Sequence, residues 1–248
     1  MKTNTQFKNE ALAALRGNWG RAVITTLLYV LIIGAIAAPT SYQAYQLQSF
    51  QQEQLGYMGG TGSLRQALSL MQDPTWIAAQ NRLQGTSSAS FLVQVLLLFP
   101  LGLGFANAFR GLLVTGNNHL FGATLHYAFS NYWHKVWGML LVYIFTVLWM
   151  LLFIIPGIVK VFSYSMTPYI LEEYPELSAS EAIHRSRLMM RGHKFDLFWL
   201  MLSFLGWAIL CVFTAGIGFL WLQPYMSTSI AAFYEEVKAE YLLKGGLY

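Results

Sequence analysis

The stretch that most limits what this chain can become is an apolar run over residues 136–171, with Pro156-Gly157 near its centre. One continuous helix of about 36 residues at ~1.5 Å rise would reach roughly 54 Å, against a bilayer hydrocarbon core of ~30 Å. The run must therefore overshoot a membrane or fold back within it. Pro156 biases Ile155 away from helical backbone and removes a donor, and Gly157 accepts the dihedrals of a tight turn. We read two membrane helices, 136–155 and 157–171, joined at Pro156-Gly157. The second arm falls short of the usual ~20 residues.

Composition supports a membrane solvent. The chain has 248 residues, of which 56% are hydrophobic and 10% charged, where soluble domains carry about 25% charged residues. That is too little charge to cover a water-soluble fold of this size. The net charge of +4 does not signal nucleic acid, because the basic residues flank apolar runs as juxtamembrane charges do. Cys211 is the one cysteine and sits in an apolar run, so intramolecular disulfides are excluded and a small buried residue is expected.

In chain order, 4–19 has an amphipathic pattern with Phe7, Ala11, Leu12, Leu15 and Trp19 on one side. It fits a helix in the membrane interface or an ordinary packed helix. Residues 22–38 form the first span. A cleaved leader is the rival reading, since Ala35-Ile36-Ala37 resembles a cleavage site, but the long structured region ahead favours a retained span. Residues 39–89 are polar and rich in Gln and Ser, with Gly59-Gly60-Thr61-Gly62 as a flexible joint and Asp73-Pro74 as a helix start. They read as an extracytoplasmic loop, either a partner-facing lid or a variable connection.

The second span, 91–114, is interrupted at Pro100, and Gly102 and Gly104 allow close helix approach. A short interfacial helix is expected within 116–135, where the spacing of His119 and His126 does not suit a one-face metal pair. Ser178-Ala179-Ser180-Glu181 matches a capping box opening a basic helix that ends near Met190. Spans 197–215 and 219–234 follow, joined by a turn at Gly216-Ile217-Gly218. The hairpins 136–171 and 197–234 then echo each other, each a long span, a Gly-Ile turn, a second arm with an internal proline, and a Glu-Glu pair.

Charge sets the expected topology. Lys2, Lys8, Arg16, Arg21, Arg110, Lys135, Arg185, Arg187, Arg191, Lys194, Lys238 and Lys244 fall on one side of six spans, and only Arg65, Arg82 and Lys160 on the other. Basic residues favour the cytoplasm, so both termini are expected there and Pro156-Gly157 outside.

The C-terminal half resembles a known family. Ile155-Pro156-Gly157-Ile158, Tyr164-Ser165-Met166, Pro168-Tyr169-Ile170-Leu171, the segment from Pro175 to Ile183, Ser186-Arg187, Gly192-His193-Lys194 and the segment from Gly216 to Trp221 resemble the bacterial membrane family called domain of unknown function 975. Leu15-Arg16-Gly17-Asn18-Trp19 looks like that family's start. The Pro-Gly-Ile turn and the Ser-Arg segment are more distantly similar to the membrane domain of glycerophosphodiester phosphodiesterases. The resemblance implies a multi-pass protein of the bacterial inner membrane and brings no known activity with it.

The sequence has no phosphate-cradling loop, Cys/His metal spacing or nucleophile elbow, so no catalytic, cofactor or metal residues are assigned and an enzyme is not expected. Glu172, Glu173 and Glu176 read as a solvated face. Arg185, Arg187, Arg191 and Lys194 are the candidate contacts to anionic lipid head groups; the alternative is that they only fix topology. The expected protein is all-α, a polytopic helical membrane protein with about six transmembrane helices. Its expected partners are membrane lipids, another membrane protein as a further candidate, and no nucleic acid. Its expected role is structural, regulatory or partner- and lipid-binding, with a permease or exporter subunit for an amphipathic substrate as the alternative.

Overall fold

The computed structural model describes residues 2–60 and 74–245, and these are helical with short connections. Five segments are long and apolar enough to cross a membrane: Trp19–Ala38, Val95–Thr115, Tyr132–Leu152, Ile154–Glu173 and Lys194–Phe213. Only 17% of the first and 22% of the last is buried, against 56% of Val95–Thr115. Apolar surface on that scale is a liability in water and ordinary against lipid. The chain is a polytopic helical membrane protein.

Helix α1 (Asn4–Leu15) starts in a capping box: the Gln6 N–H donates to Thr3 Oγ1 and the Thr3 N–H donates to Gln6 Oε1 at 2.7 Å. It buries Phe7, Ala11 and Leu15. The chain leaves it at Gly17, whose φ of +80° is a left-handed value that glycine adopts without strain. Helix α2 (Trp19–Gly60) and α3 (Pro74–Thr115) are each 42 residues long. They correct the loop expected over 39–89, because helix continues through 39–60 and resumes at Pro74. Polarity pointed to a loop, but Gln, Ala, Leu and Glu are good helix formers whether or not they face lipid. The rest of that stretch, 61–73, lies outside the described residues, as do Asp73 and half of the expected glycine joint. Pro100 is likewise no turn; it lies inside α3, which passes through it without the proline's missing N–H.

Residues 31–98 form one compact unit, and residues 1–30 with 99–248 form another. In the larger unit, α4 (Leu120–Phe129) packs on α3 at Gly104, where a Cβ would stand 2.2 Å from the Thr124 carbonyl oxygen. Asn131, with φ of 46°, turns the chain into α5 (Tyr132–Leu152). The break expected at Pro156-Gly157 lies a few residues earlier in the chain. The one extended residue is Phe153 (φ −155°, ψ 131°), and α6 (Ile154–Tyr164) contains both Pro156 and Gly157. Pro156 fits in the first turn because backbone N–H groups there have no helical partner. The second arm with α7 (Thr167–Glu173) therefore reaches the 20 residues of a full candidate span.

Helix α8 (Ala179–Met189) has the expected capping box, with Ser178 N–H donating to Glu181 Oε2 at 2.8 Å. Gly192 (φ +91°) turns the chain into α9 (Lys194–Leu202), and a short break leads to α10 (Leu205–Phe213). After α10 the chain turns over residues 214–218, with Ala215 and Gly216 in left-handed backbone. Gly218 ends that turn and packs against Cys211.

Helix α11 (Phe219–Leu243) contains the expected sixth span, 219–234, but is not among the five apolar segments. It is the interior helix of the bundle, burying Leu222, Ala231, Ala232, Phe233, Tyr234 and Val237. An interior helix meets protein instead of lipid, so it needs less apolar surface. Its core neighbours include Phe7, Leu103, Met166, Ile170 and Phe204. Leu15, Phe105, Phe109 and Leu120 pack as a second cluster.

Candidate functional site

The densest chemistry lies where α3, α7 and α11 meet. Arg110 Nη2 is 3.0 Å from Glu173 Oε2, and its Nε is 2.5 Å from Glu235 Oε1. Lys238 Nζ bridges the same two carboxylates, at 2.9 Å from Glu173 Oε1 and 2.6 Å from Glu235 Oε2. The Tyr234 hydroxyl donates to Glu173 Oε2 at 2.5 Å, and its ring stacks on Tyr169 at 4.8 Å. Two cations and two carboxylates cancel, and each carboxylate touches both cations. Partial burial strengthens these contacts and makes losing one partner costly.

A second pair flanks the first. Lys135 is 1% exposed and forms an ion pair with Glu172. Its ammonium also donates to the Tyr127 carbonyl at 2.6 Å and to Ser130 Oγ at 2.7 Å. The reading of Glu172 and Glu173 as a solvated face is therefore corrected: both are held against cations from other helices. A sequence signal did exist. The two Glu-Glu pairs end the two echoing hairpins, and Arg110 and Lys135 end neighbouring apolar runs.

The basic residues of the α8–α9 corner divide. Arg185 turns inward, its guanidinium 4.0 Å from the Tyr174 ring centroid and 5.6 Å from that of Tyr241. Arg187 and Arg191 are exposed and Lys194 is half-buried. Lys160 holds its ammonium 4.3 Å from the Trp149 ring centroid. Helix α8 packs back onto α6, where Ser186 Oγ donates to the Ser163 carbonyl at 2.9 Å.

Outside the spans, the Lys244 hydrogen bond holds the Glu240 carboxyl below its ordinary range, and the nearby His193 adds to this. The hydrogen bond to Glu10 raises Lys2. Among the described residues no cluster of three or more His, Cys, Asp or Glu side chains is placed to hold a metal ion.

No curated protein and no solved structure matches the chain, so the distant likeness to phosphodiesterase membrane domains gains no support. A family does match, described as a protein of unknown function (DUF975), over residues 1–241. With that match covering nearly the whole chain, the chain belongs to the DUF975 family.

Proposed function

We propose that this protein is a non-enzymatic module of the bacterial cytoplasmic membrane that engages anionic lipid through its α8–α9 corner. The observation that carries this reading is a contrast between two sets of cations. Arg110, Lys135 and Lys238, inside the bundle, are matched by Glu172, Glu173 and Glu235. Arg187, Arg191 and Lys194 have no carboxylate within ion-pair distance among the described residues. Unmatched cations beside apolar spans attract anionic head groups, at roughly 1 kcal/mol per basic residue near the surface. The neutral interior pairs act as structural cement between four helices, α3, α5, α7 and α11.

Both termini belong on the cytoplasmic side in this reading. Its support is that Lys2 reaches Glu236 at 3.4 Å and Phe7 packs on Phe233 at 5.5 Å, so the N-terminal helix lies along the C-terminal half of α11. Replacing Arg187, Arg191 and Lys194 together with Gln should lower the anionic fraction of lipid that co-purifies with correctly inserted protein. An unchanged anionic fraction would sink the reading.

A further inference from the structure

Beside the basic corner, α6 and α9 leave a groove of about 500 Å³ open along one side, within the ~300–1,000 Å³ typical of ligand pockets. Ile158, Val159 and Phe162 line one wall and Phe195 and Phe198 the other. Phe162 and Phe198 meet edge to face at 5.9 Å. Arg191 and Lys194 border the same groove. The nearest carboxylate in sequence, Asp196, faces His193 at 3.4 Å, which leaves the rim positive.

An apolar groove with Arg191 and Lys194 at its border complements a molecule with a hydrocarbon chain and an anionic head. We infer that this groove holds one acyl chain of an anionic phospholipid, whose phosphate is bound by Arg191 and Lys194. The inference deepens the lipid-engaging reading above and rests on it. It adds a single built site in place of a diffuse basic surface. Free phosphate would satisfy the rim and leave the aromatic wall uncovered, and a zwitterionic lipid would satisfy the wall and gain less from the rim. Arg185 is outside the site, because its guanidinium is committed to Tyr174 and Tyr241.

The full chain in detergent, titrated with phosphatidylglycerol or phosphatidylcholine and read by native mass spectrometry, tests this. The wild type should hold one phosphatidylglycerol molecule in preference to phosphatidylcholine. R191Q/K194Q should lose the preference, R185Q should keep it, and I158W or V159W should lose the bound lipid by filling the groove. If R191Q/K194Q loses the preference while both tryptophan variants keep the bound lipid, the groove is overturned and the broader lipid reading stands. If no variant alters lipid binding, both fall. Displacement by inorganic phosphate at equal concentration would also overturn the acyl-chain site. Because a groove variant can fail to insert, the wild type is photo-cross-linked to phosphatidylglycerol bearing a diazirine on its acyl chain. Adducts should map to residues 158–162 and 195–198, and labelling spread evenly over all the spans would overturn the inference.

Discussion

Gly157 lies directly against Met150, so that a Cβ at Gly157 would stand 2.5 Å from Met150 Cγ and 2.8 Å from Met150 Cα. Gly218 stands against Cys211 at the same separation in sequence, its missing Cβ 2.7 Å from Cys211 Sγ and 3.1 Å from Cys211 Cα. Both contacts share one device: a glycine at or near the start of a helix lets it approach the backbone of the helix before it. The internal echo in the sequence has this physical counterpart.

Adding a methyl group at either glycine should loosen its hairpin. Gly157→Ala and Gly218→Ala should each cost about 1–3 kcal/mol, the usual range for overpacking a tight contact, read as a lower thermal midpoint in detergent. For Gly218→Ala, adding Cys211→Ala removes the nearest atom, and the double variant should recover part of the loss. Strict additivity of the two single effects would refute the contact as the cause.

Gly102 and Gly104 should behave differently although they are close neighbours on α3. A Cβ at Gly104 meets the Thr124 carbonyl oxygen at 2.2 Å and the Ala128 nitrogen at 2.8 Å, both backbone atoms that cannot rotate away. At Gly102 its nearest neighbour is the Tyr29 hydroxyl at 3.6 Å, an ordinary contact. Gly104→Ala should therefore reduce the yield of folded protein on size-exclusion chromatography. Gly102→Ala should be neutral or slightly stabilising, since Ala is the better helix former.

The Lys135–Glu172 pair gives a test of charge burial. Lys135→Met leaves the Glu172 carboxylate without its cation and should cost about 3–5 kcal/mol, the range for breaking a buried ion pair. Lys135→Met with Glu172→Gln should be less damaging than the single change. Equal thermal midpoints for single and double variants would show that the Tyr127 and Ser130 hydrogen bonds, not the ion pair, make Lys135 important.

Tyr234→Phe removes the hydroxyl that donates to Glu173 while keeping the ring stacked on Tyr169. A hydrogen bond to a charged group is worth about 1.5–3 kcal/mol, so the midpoint should fall without loss of helix by circular dichroism. No change in midpoint would mean that Arg110 and Lys238 satisfy Glu173 by themselves.

Topology is best probed at the observed turn. Gly157 has no room for a side chain, whereas Phe153 is 68% exposed. Phe153→Cys in a Cys211→Ser background should react with a membrane-impermeant maleimide from outside the cell. Reaction from the cytoplasmic side alone would reverse the orientation proposed for the α5–α6 hairpin.

Much of this protein was already determined by its sequence, because hydropathy, capping and glycine placement act over short stretches of chain. The apolar runs dictated helices that face lipid, Thr3 and Ser178 dictated where two helices begin, and Gly216 dictated a left-handed turn. Local signals were weaker where two of them conflicted. At Pro156 the proline suggested a turn, yet it is tolerated in a first helical turn, so the break moved to Phe153. Over 39–60, polarity outweighed helix propensity in the reading, and propensity won in the fold.

The pairing of charges was decided only by tertiary structure. Arg110 and Glu235 are separated by 125 positions, and nothing near either residue distinguishes a solvated charge from a paired one. Hydropathy depends on the residues within a window, whereas the energy of a charge depends on what the fold brings within a few ångströms of it.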